Sequence, residues 1–62
     1  MIEVQYYYKK SDKWILCHNY FHNTQKALRF LFVLKKSPNM VYMALHCDDP
    51  YDDQYLRRKV GL

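Results

Sequence analysis

The apolar stretch of residues 27–34, Ala27-Leu28-Arg29-Phe30-Leu31-Phe32-Val33-Leu34, is the strongest constraint on what this chain can fold into. It predicts a helix, and segments patterned like β-strands flank it on both sides. A small sheet can cover one side of such a helix, but a chain of 62 residues is too short to cover every side. We therefore expect large apolar groups to stay exposed beside basic ones, as they do at docking surfaces.

Two segments before the helix predict β-strands. Residues 2–9 alternate, with Ile2, Val4, Tyr6 and Tyr8 on one face. The polar residues 10–13 are typical of a hairpin connection. Residues 14–21 are β-prone on both faces, so the pattern leaves the facing of this strand open. One candidate set is Ile15, Cys17 and Phe21, and the other is Trp14, Leu16, His18 and Tyr20.

Residues 40–47 predict a third strand after the helix. Strict alternation divides its side chains into two sets. Val41, Met43, Leu45 and Cys47 are expected on one face, with Tyr42, Ala44 and His46 on the other.

The main helix is expected to begin at an N-cap provided by Asn23 or Thr24 and to end near Lys36, before Pro38. At about 100° per residue one broad arc is apolar, and Phe32 and Val33 fall on its flanks beside the polar side. The members of the arc are Ala27, Leu28, Phe30, Leu31 and Leu34.

A second, shorter helix is predicted for residues 50–60. Asp49 is suited to its N-cap and Pro50 to its first position. Its apolar residues, Tyr51, Tyr55, Leu56 and Val60, form a narrow seam, and so short a helix is marginal unless it docks.

These elements predict one α+β domain over residues 1–62. A ββαβ body, residues 1–49, would have a mainly antiparallel three-stranded sheet covered on one face by the main helix, followed by a short helix or tail over 50–62.

Metal and thiol chemistry is not expected. Cys17 and His18 are neighbours on a predicted strand and point to opposite faces, and neither Cys17 nor Cys47 belongs to a CxxC pair. His22 and His46 are the other two candidate ligands. We predict no metal and no cofactor. Two free thiols are favoured over a Cys17–Cys47 disulfide, which would need adjacent strands.

No recognised catalytic constellation is present, so we predict that the protein is not an enzyme. The histidines His18, His22 and His46 follow no catalytic order. The aspartate pairs at 48–49 and 52–53 lie at a turn and a helix start, where aspartate is structurally favoured.

Binding to a protein is the interpretation that the exposed groups favour. Aromatic residues and arginine are the types that anchor interfaces. The predicted contact residues are Arg29, Phe32, Val33 and Lys36 on the helix, Tyr7, Trp14 and Tyr42 on the sheet, and Asp48, Asp49, Tyr51 and Asp52 in the acidic-aromatic segment.

Binding to single-stranded nucleic acid is the alternative. The net charge is +4. The side chains of Tyr7, Trp14, Tyr42 and His46, expected on the uncovered sheet face and edged by Lys9, Lys10 and Lys13, would form a stacking platform. No RNP-type motif or GXXG loop supports it.

The paucity of cysteine and the absence of a long apolar run predict an intracellular protein without a membrane span. The oligomeric state stays open between monomer and homodimer.

The chain opens with Met1-Ile2-Glu3-Val4 at its first strand, has Lys26-Ala27-Leu28 in its main helix and has Cys47-Asp48 after its last strand. With these features, its length and its order of elements, the chain resembles, over roughly residues 1–49, the small antitoxin family of T-even phages called Dmd. The resemblance implies a non-enzymatic inhibitor, in the cytoplasm of an infected bacterium, that binds a host endoribonuclease toxin and protects phage messages. No functional residue is transferred by it.

Overall fold

Three antiparallel strands and two helices make up the α+β fold, which a computed structural model describes over residues 1–61. In chain order the elements are β1 (Ile2–Lys10), β2 (Lys13–Phe21), α1 (Thr24–Lys36), β3 (Met40–Cys47) and α2 (Pro50–Val60). The sheet order is β2-β1-β3, so the first strand is central. The predicted fold class is confirmed. Within residues 1–61, no helix has both the length and the apolarity to cross a membrane.

A two-residue turn joins β1 to β2. Ser11 and Asp12 both have positive φ, 53° and 63°, as a type I′ hairpin turn requires. Such a turn matches the right-handed twist of the paired strands and sets the register, in which Lys10 pairs with Lys13 and Ile2 with Phe21. Neither turn residue is glycine, so both hold a backbone conformation that side chains disfavour.

Replacing Asp12 by glycine is therefore expected to stabilise the protein. Glycine adopts the left-handed conformation without strain, which stabilises the folded state, but it also increases the conformational entropy of the unfolded chain. We expect the first effect to be larger and the free energy of unfolding to rise by about 0.5–1 kcal/mol. Urea unfolding followed by circular dichroism would measure the change. Asp12→Ala is the matched control, because it keeps the strained conformation and should not stabilise. A lower midpoint for Asp12→Gly than for the wild type would contradict the strain argument.

Helix α1 begins and ends as its local sequence predicts. The Asn23 side chain accepts a hydrogen bond from the Lys26 amide at 2.9 Å, so Asn23 rather than Thr24 is the N-cap. Lys35 and Lys36 occupy the last turn, where they complement the helix dipole. The predicted apolar arc packs on the sheet: Ala27, Leu31 and Leu34 are buried, and Leu28 and Phe30 pack against the core.

One face of the sheet carries the core. Ile2 and Val4 of β1 and Leu45 of β3 are buried beneath α1. Beside them, the centre of the Phe30 ring lies 5.0 Å from the centre of the Tyr6 ring and 5.5 Å from the centre of the Phe21 ring. These contacts determine the facing of β2, because Phe21 pairs with Ile2, and residues directly opposite on paired strands share a face. Ile15, Cys17 and Phe21 are therefore the set on the helix side.

Helix α2 is docked against the body in the free chain. Leu56 and Val60 are buried in the same core. Arg57 donates to the Leu45 carbonyl at 3.1 Å, and Lys35 donates to the Val60 carbonyl at 3.0 Å. The N-cap Asp49 is as predicted, accepting from the Tyr51 amide at 2.9 Å.

The predicted apolar seam of α2 is only half correct. Leu56 and Val60 face the core, but Tyr51 and Tyr55 are exposed to solvent. Two buried residues four positions apart are enough to dock so short a helix, since residues i and i+4 share one helix face.

A β-bulge in strand β3 overturns the predicted alternation of that strand. The register with β1 shifts between Gln5, which pairs with Ala44, and Tyr6, which pairs with Tyr42, so Met43 is the extra residue. Leu45 and Cys47 face the core as expected, but beyond the bulge Tyr42 takes the inward position. Val41, predicted on the inner face, is exposed instead.

Candidate protein-binding surface

The side of the sheet away from the helices, called here the open sheet face, is uncovered. Its members follow from the register, because they alternate with the buried residues of β1 and lie opposite one another across the strands. They are Glu3, Gln5, Tyr7 and Lys9 from β1, Trp14, Leu16, His18 and Tyr20 from β2, and Val41, Ala44 and His46 from β3.

The end of this face nearest the hairpin turn is apolar. Tyr7, Trp14 and Val41 line a shallow depression, and 47% of the Trp14 surface is exposed. The ammonium group of Lys9 lies 5.8 Å from the centre of the Trp14 ring, within the range of a cation–π contact. Leu16, which pairs with Tyr7, extends the apolar area and is also exposed. This end therefore offers apolar contact area with a cation at its margin.

The other end of the open sheet face is polar and centred on the Glu3 carboxylate. Nδ1 of His18 lies 2.9 Å from Oε2, and the Tyr20 hydroxyl donates to the same oxygen at 3.0 Å. Gln5 donates to Oε1 at 3.2 Å. Because an ionised carboxylate only accepts, the hydrogen in the His18 contact is on Nδ1. The hydrogen bond from His18, followed by those from Gln5 and Tyr20, holds the pKa of Glu3 below its usual range.

Removing this carboxylate is expected to weaken the acid sensitivity of the protein. The pKa of Glu3 is lower in the folded chain than in the unfolded chain, where a glutamate titrates near pH 4.3. The unfolded chain then binds more protons in this range, so the stabilisation by Glu3 is present above about pH 5 and is lost as the pH falls through the folded-state pKa.

Urea unfolding at several pH values between about 6 and 2 would measure this dependence. For Glu3→Gln the free energy of unfolding should change less across this range than for the wild type. Tyr20→Phe, which removes one donor to the carboxylate, should give an intermediate slope. Equal slopes for wild type and Glu3→Gln would contradict a stabilising role for this cluster.

The predicted contact residues of α1 form a second surface on its outer side. Arg29, Phe32, Val33 and Lys36 are all exposed, with 40% of Phe32 and 52% of Val33 accessible. Because α1 packs its opposite side on the sheet, this surface and the open sheet face point in opposite directions. A globular partner would therefore contact one of these two surfaces and not both at once.

The acidic-aromatic segment at the start of α2 is occupied largely by structural roles. Asp48 pairs with the amino group of Met1 at 3.0 Å, and Asp49 caps the helix. Asp52 is half-buried. Tyr51, 80% exposed, is the most accessible aromatic group of this segment. The carboxylates of Asp48 and Asp49 are therefore less available to a partner than the composition of the segment indicates.

Tyr42 does not belong to any of these surfaces. It was predicted on the uncovered face, but the bulge turns it toward the core, where it packs against the buried cluster. Val41 takes its place beside Tyr7 and Trp14. The pattern of β3 carries no glycine or proline at the bulge that would have indicated the shift.

No protein-family model, curated protein or solved structure matches this chain. The geometry of its surfaces is accordingly the main evidence on function.

The cysteines and histidines do not converge. Within residues 1–61, no group of three or more histidine, cysteine or acidic side chains is placed to hold a metal ion. Cys17 lies on β2 and Cys47 on β3, and both are free thiols. Because β1 runs between them, their strands are about 10 Å apart, beyond the span of a disulfide. Burial raises the pKa of the Cys47 thiol, with Asp53 and Asp52 adding to the shift.

Proposed function

We propose that this chain is a non-enzymatic phage inhibitor that binds a host endoribonuclease toxin and occludes its active region in the cytoplasm of the infected bacterium. The open sheet face carries the proposal: it places exposed aromatic and aliphatic side chains next to a hydrogen-bonded polar cluster. The resemblance to the Dmd antitoxins supports the class of partner.

The arrangement of the open sheet face suits a protein interface. An interface needs an apolar centre that excludes water and a polar margin that fixes orientation. Trp14, Tyr7 and Val41 provide the first, and Glu3 with its donors provides the second. Trp14 is the anchor we expect to contribute most, since it is the largest exposed side chain there and tryptophan is enriched at binding hot spots.

Polar groups on this face are already ordered before binding. Three side chains hold the Glu3 carboxylate, so little additional side-chain entropy is lost when a toxin docks against it. The outer side of α1, with Phe32 and Val33, is the second candidate surface for the same partner. It has fewer exposed aromatic rings and no comparable polar network in the described residues.

Inhibition of RNA cleavage by purified toxins tests the proposal. The full chain would be titrated into bacterial endoribonuclease toxins acting on a fluorescent RNA, and complex formation would be followed by co-purification from cells that express both proteins. We expect one toxin to form a stoichiometric complex and to lose activity as the ratio reaches one to one. Undiminished cleavage by every toxin tested, with recovery of nucleic acid alone, would overturn it.

Binding of single-stranded nucleic acid is a second candidate, favoured by one specific arrangement. Lys9 over the Trp14 ring, with Tyr7 alongside, combines a cation with aromatic surfaces on which bases stack. Lys10 and Lys13 flank the adjoining turn. This function predicts affinity that falls steeply with salt, because phosphate contacts release counterions. Affinity for a protein through an apolar face would change far less.

A further inference from the structure

The two edges of the sheet differ in how they are protected. Strand β3 has a bulge, and helix α2 lies against it, with Arg57 donating to the Leu45 carbonyl at 3.1 Å. Bulges and covering helices are standard ways to keep a sheet edge from pairing with another chain. Strand β2 has neither device over Lys13–Phe21: it pairs without a register shift, and residues 14–21 include no lysine, arginine, aspartate, glutamate or proline.

The hydrogen-bonding direction of each residue at this edge follows from the central strand. The Lys9 amide donates to the Asn39 carbonyl at 2.8 Å, and the Asp48 amide donates to the Met1 carbonyl at 3.3 Å. Residues 1 and 9 therefore direct their backbone groups toward β3, and so do the other odd-numbered residues of β1. Its even-numbered residues then bond toward β2, because alternate residues of an antiparallel strand bond to opposite neighbours. Their partners on β2 are Ile15, Cys17, Asn19 and Phe21.

The residues between these partners direct their backbone groups outward. They are Trp14, Leu16, His18 and Tyr20, and the side chains of all four are exposed. Backbone hydrogen bonds outside the helices and ladders involve none of them in residues 1–61. The edge therefore presents a row of unpaired N–H and C=O groups with the spacing that another antiparallel strand requires.

We infer that β2 pairs antiparallel with β2 of a second copy of this chain, which joins the two sheets into one six-stranded sheet around a two-fold axis at Cys17. The inference is independent of the proposed toxin. Such an interface is isologous, so a strand must be complementary to its own reverse.

The β2 sequence satisfies this condition in one register. When Cys17 lies opposite Cys17 of the second copy, Trp14 pairs with Tyr20 and Leu16 with His18, and all four outward-bonding residues are used. The two Trp14–Tyr20 pairs are cross-strand aromatic contacts, which stabilise antiparallel sheets. No like charges lie opposite each other within residues 14–20, and Lys13 lies at the ends, opposite Phe21.

Apolar groups beside the edge would also be covered. Ile15, on the helix side of β2, is 48% exposed. Val33 of α1 is exposed. It lies three residues after Phe30, which packs on Phe21 of β2. Residues three apart are neighbours on a helix surface, so Val33 and Phe30 share the flank of α1 that is nearest to the β2 edge. With two-fold symmetry about an axis normal to the sheet, the α1 helices of both copies lie on the same side and bring these groups together.

Sedimentation of the full chain over a range of concentrations tests the dimer. We expect a species of twice the chain mass of 7.7 kDa. Leu16→Pro should weaken it by about tenfold or more, since symmetry removes two intermolecular hydrogen bonds, while the β1 ladder keeps all of its own. Leu16→Thr retains the amide and is the matched control. A sole species of 7.7 kDa at every concentration, or an unweakened dimer in a folded Leu16→Pro variant, would overturn the inference.

Thiol trapping gives a measurement that does not depend on the proline variant folding. Residues opposite each other in a non-hydrogen-bonded pair have Cα atoms about 4.5 Å apart, within the range of a disulfide. Diamide would accept two electrons and two protons as the two Cys17 thiols join. A covalent dimer is expected in the wild type and in Cys47→Ser, but not in Cys17→Ser. A dimer trapped equally in Cys17→Ser, or none in the wild type, would contradict the register.

Discussion

Replacing Leu56 by alanine is expected to lower the free energy of unfolding by about 2–5 kcal/mol. Leu56 has no exposed surface and lies where α2 meets the core formed by α1 and the sheet. The truncation removes apolar contacts and leaves a cavity that a small domain relaxes around only partly. A chain of this length has a total stability of about 3–9 kcal/mol, so this loss is a large fraction of the total and should lower the unfolding midpoint markedly.

Urea unfolding followed by far-ultraviolet circular dichroism would measure this loss. Gln54→Ala is the matched control: it lies on the same helix, is exposed, and should stay within about 0.5 kcal/mol of the wild type. A loss below about 1 kcal/mol for Leu56→Ala would mean that α2 is not docked in the free chain. Helix α2 would then order only on a partner.

Replacing Trp14 by alanine is expected to weaken toxin binding by about 30-fold or more, the effect of removing a hot-spot residue that contributes at least 2 kcal/mol. The indole is half exposed, lines the apolar depression with Tyr7 and Val41, and is contacted by Lys9. Truncation would remove most of that depression. Stability should change little, because Trp14 lies outside the buried cluster.

Alanine variants of two aromatic residues on other surfaces serve as controls for this prediction. Tyr51→Ala removes an exposed ring at the start of α2, and Phe32→Ala removes one from the outer side of α1. Calorimetric titration of each variant with the toxin should show a large loss for Trp14→Ala and nearly wild-type affinity for Tyr51→Ala. A loss confined to Phe32→Ala would move the interface to α1. Salt-dependent loss of RNA binding in Trp14→Ala, without any toxin complex, would favour the nucleic-acid function.

Several elements of this fold were predictable because their signals are local. The N-cap at Asn23, the lysines of the last turn and Pro38 shortly beyond define α1 through interactions within a few residues. Asp49 and Pro50 do the same for α2. The exposure of Phe32 and Val33 was also predictable, because a helix with apolar residues on more than one side cannot bury them all against a single small sheet.

The errors occur where distant segments compete for the same positions. Tyr42 and Val41 exchange faces because β3 inserts Met43 into its pairing with β1. A bulge of this kind depends on how the strand fits beneath the helices, and alternation along the strand contains no record of it. The facing of β2 was open for a related reason. Both of its faces are apolar, so only pairing with Ile2 and contact with Phe30 select the inward set.

The polar cluster around Glu3 was also not predictable from the sequence, because residues of two different strands form it. Glu3 is distant in sequence from His18 and Tyr20, and none of the three alone predicts a shared site. Register brings them together: Glu3 pairs with Tyr20, and Gln5, two residues further along the same face, pairs with His18. The turn at Ser11 and Asp12 sets that register.

Short-range chemistry, in which caps, charges and periodicity act within one or two turns of chain, is thus sufficient to specify the elements, their order and the surplus of apolar side chains in this protein. Packing decides which side chains meet and which face solvent. That choice depends on contacts between residues tens of positions apart, and their energies are comparable for the alternatives that a short, uniformly apolar strand can adopt.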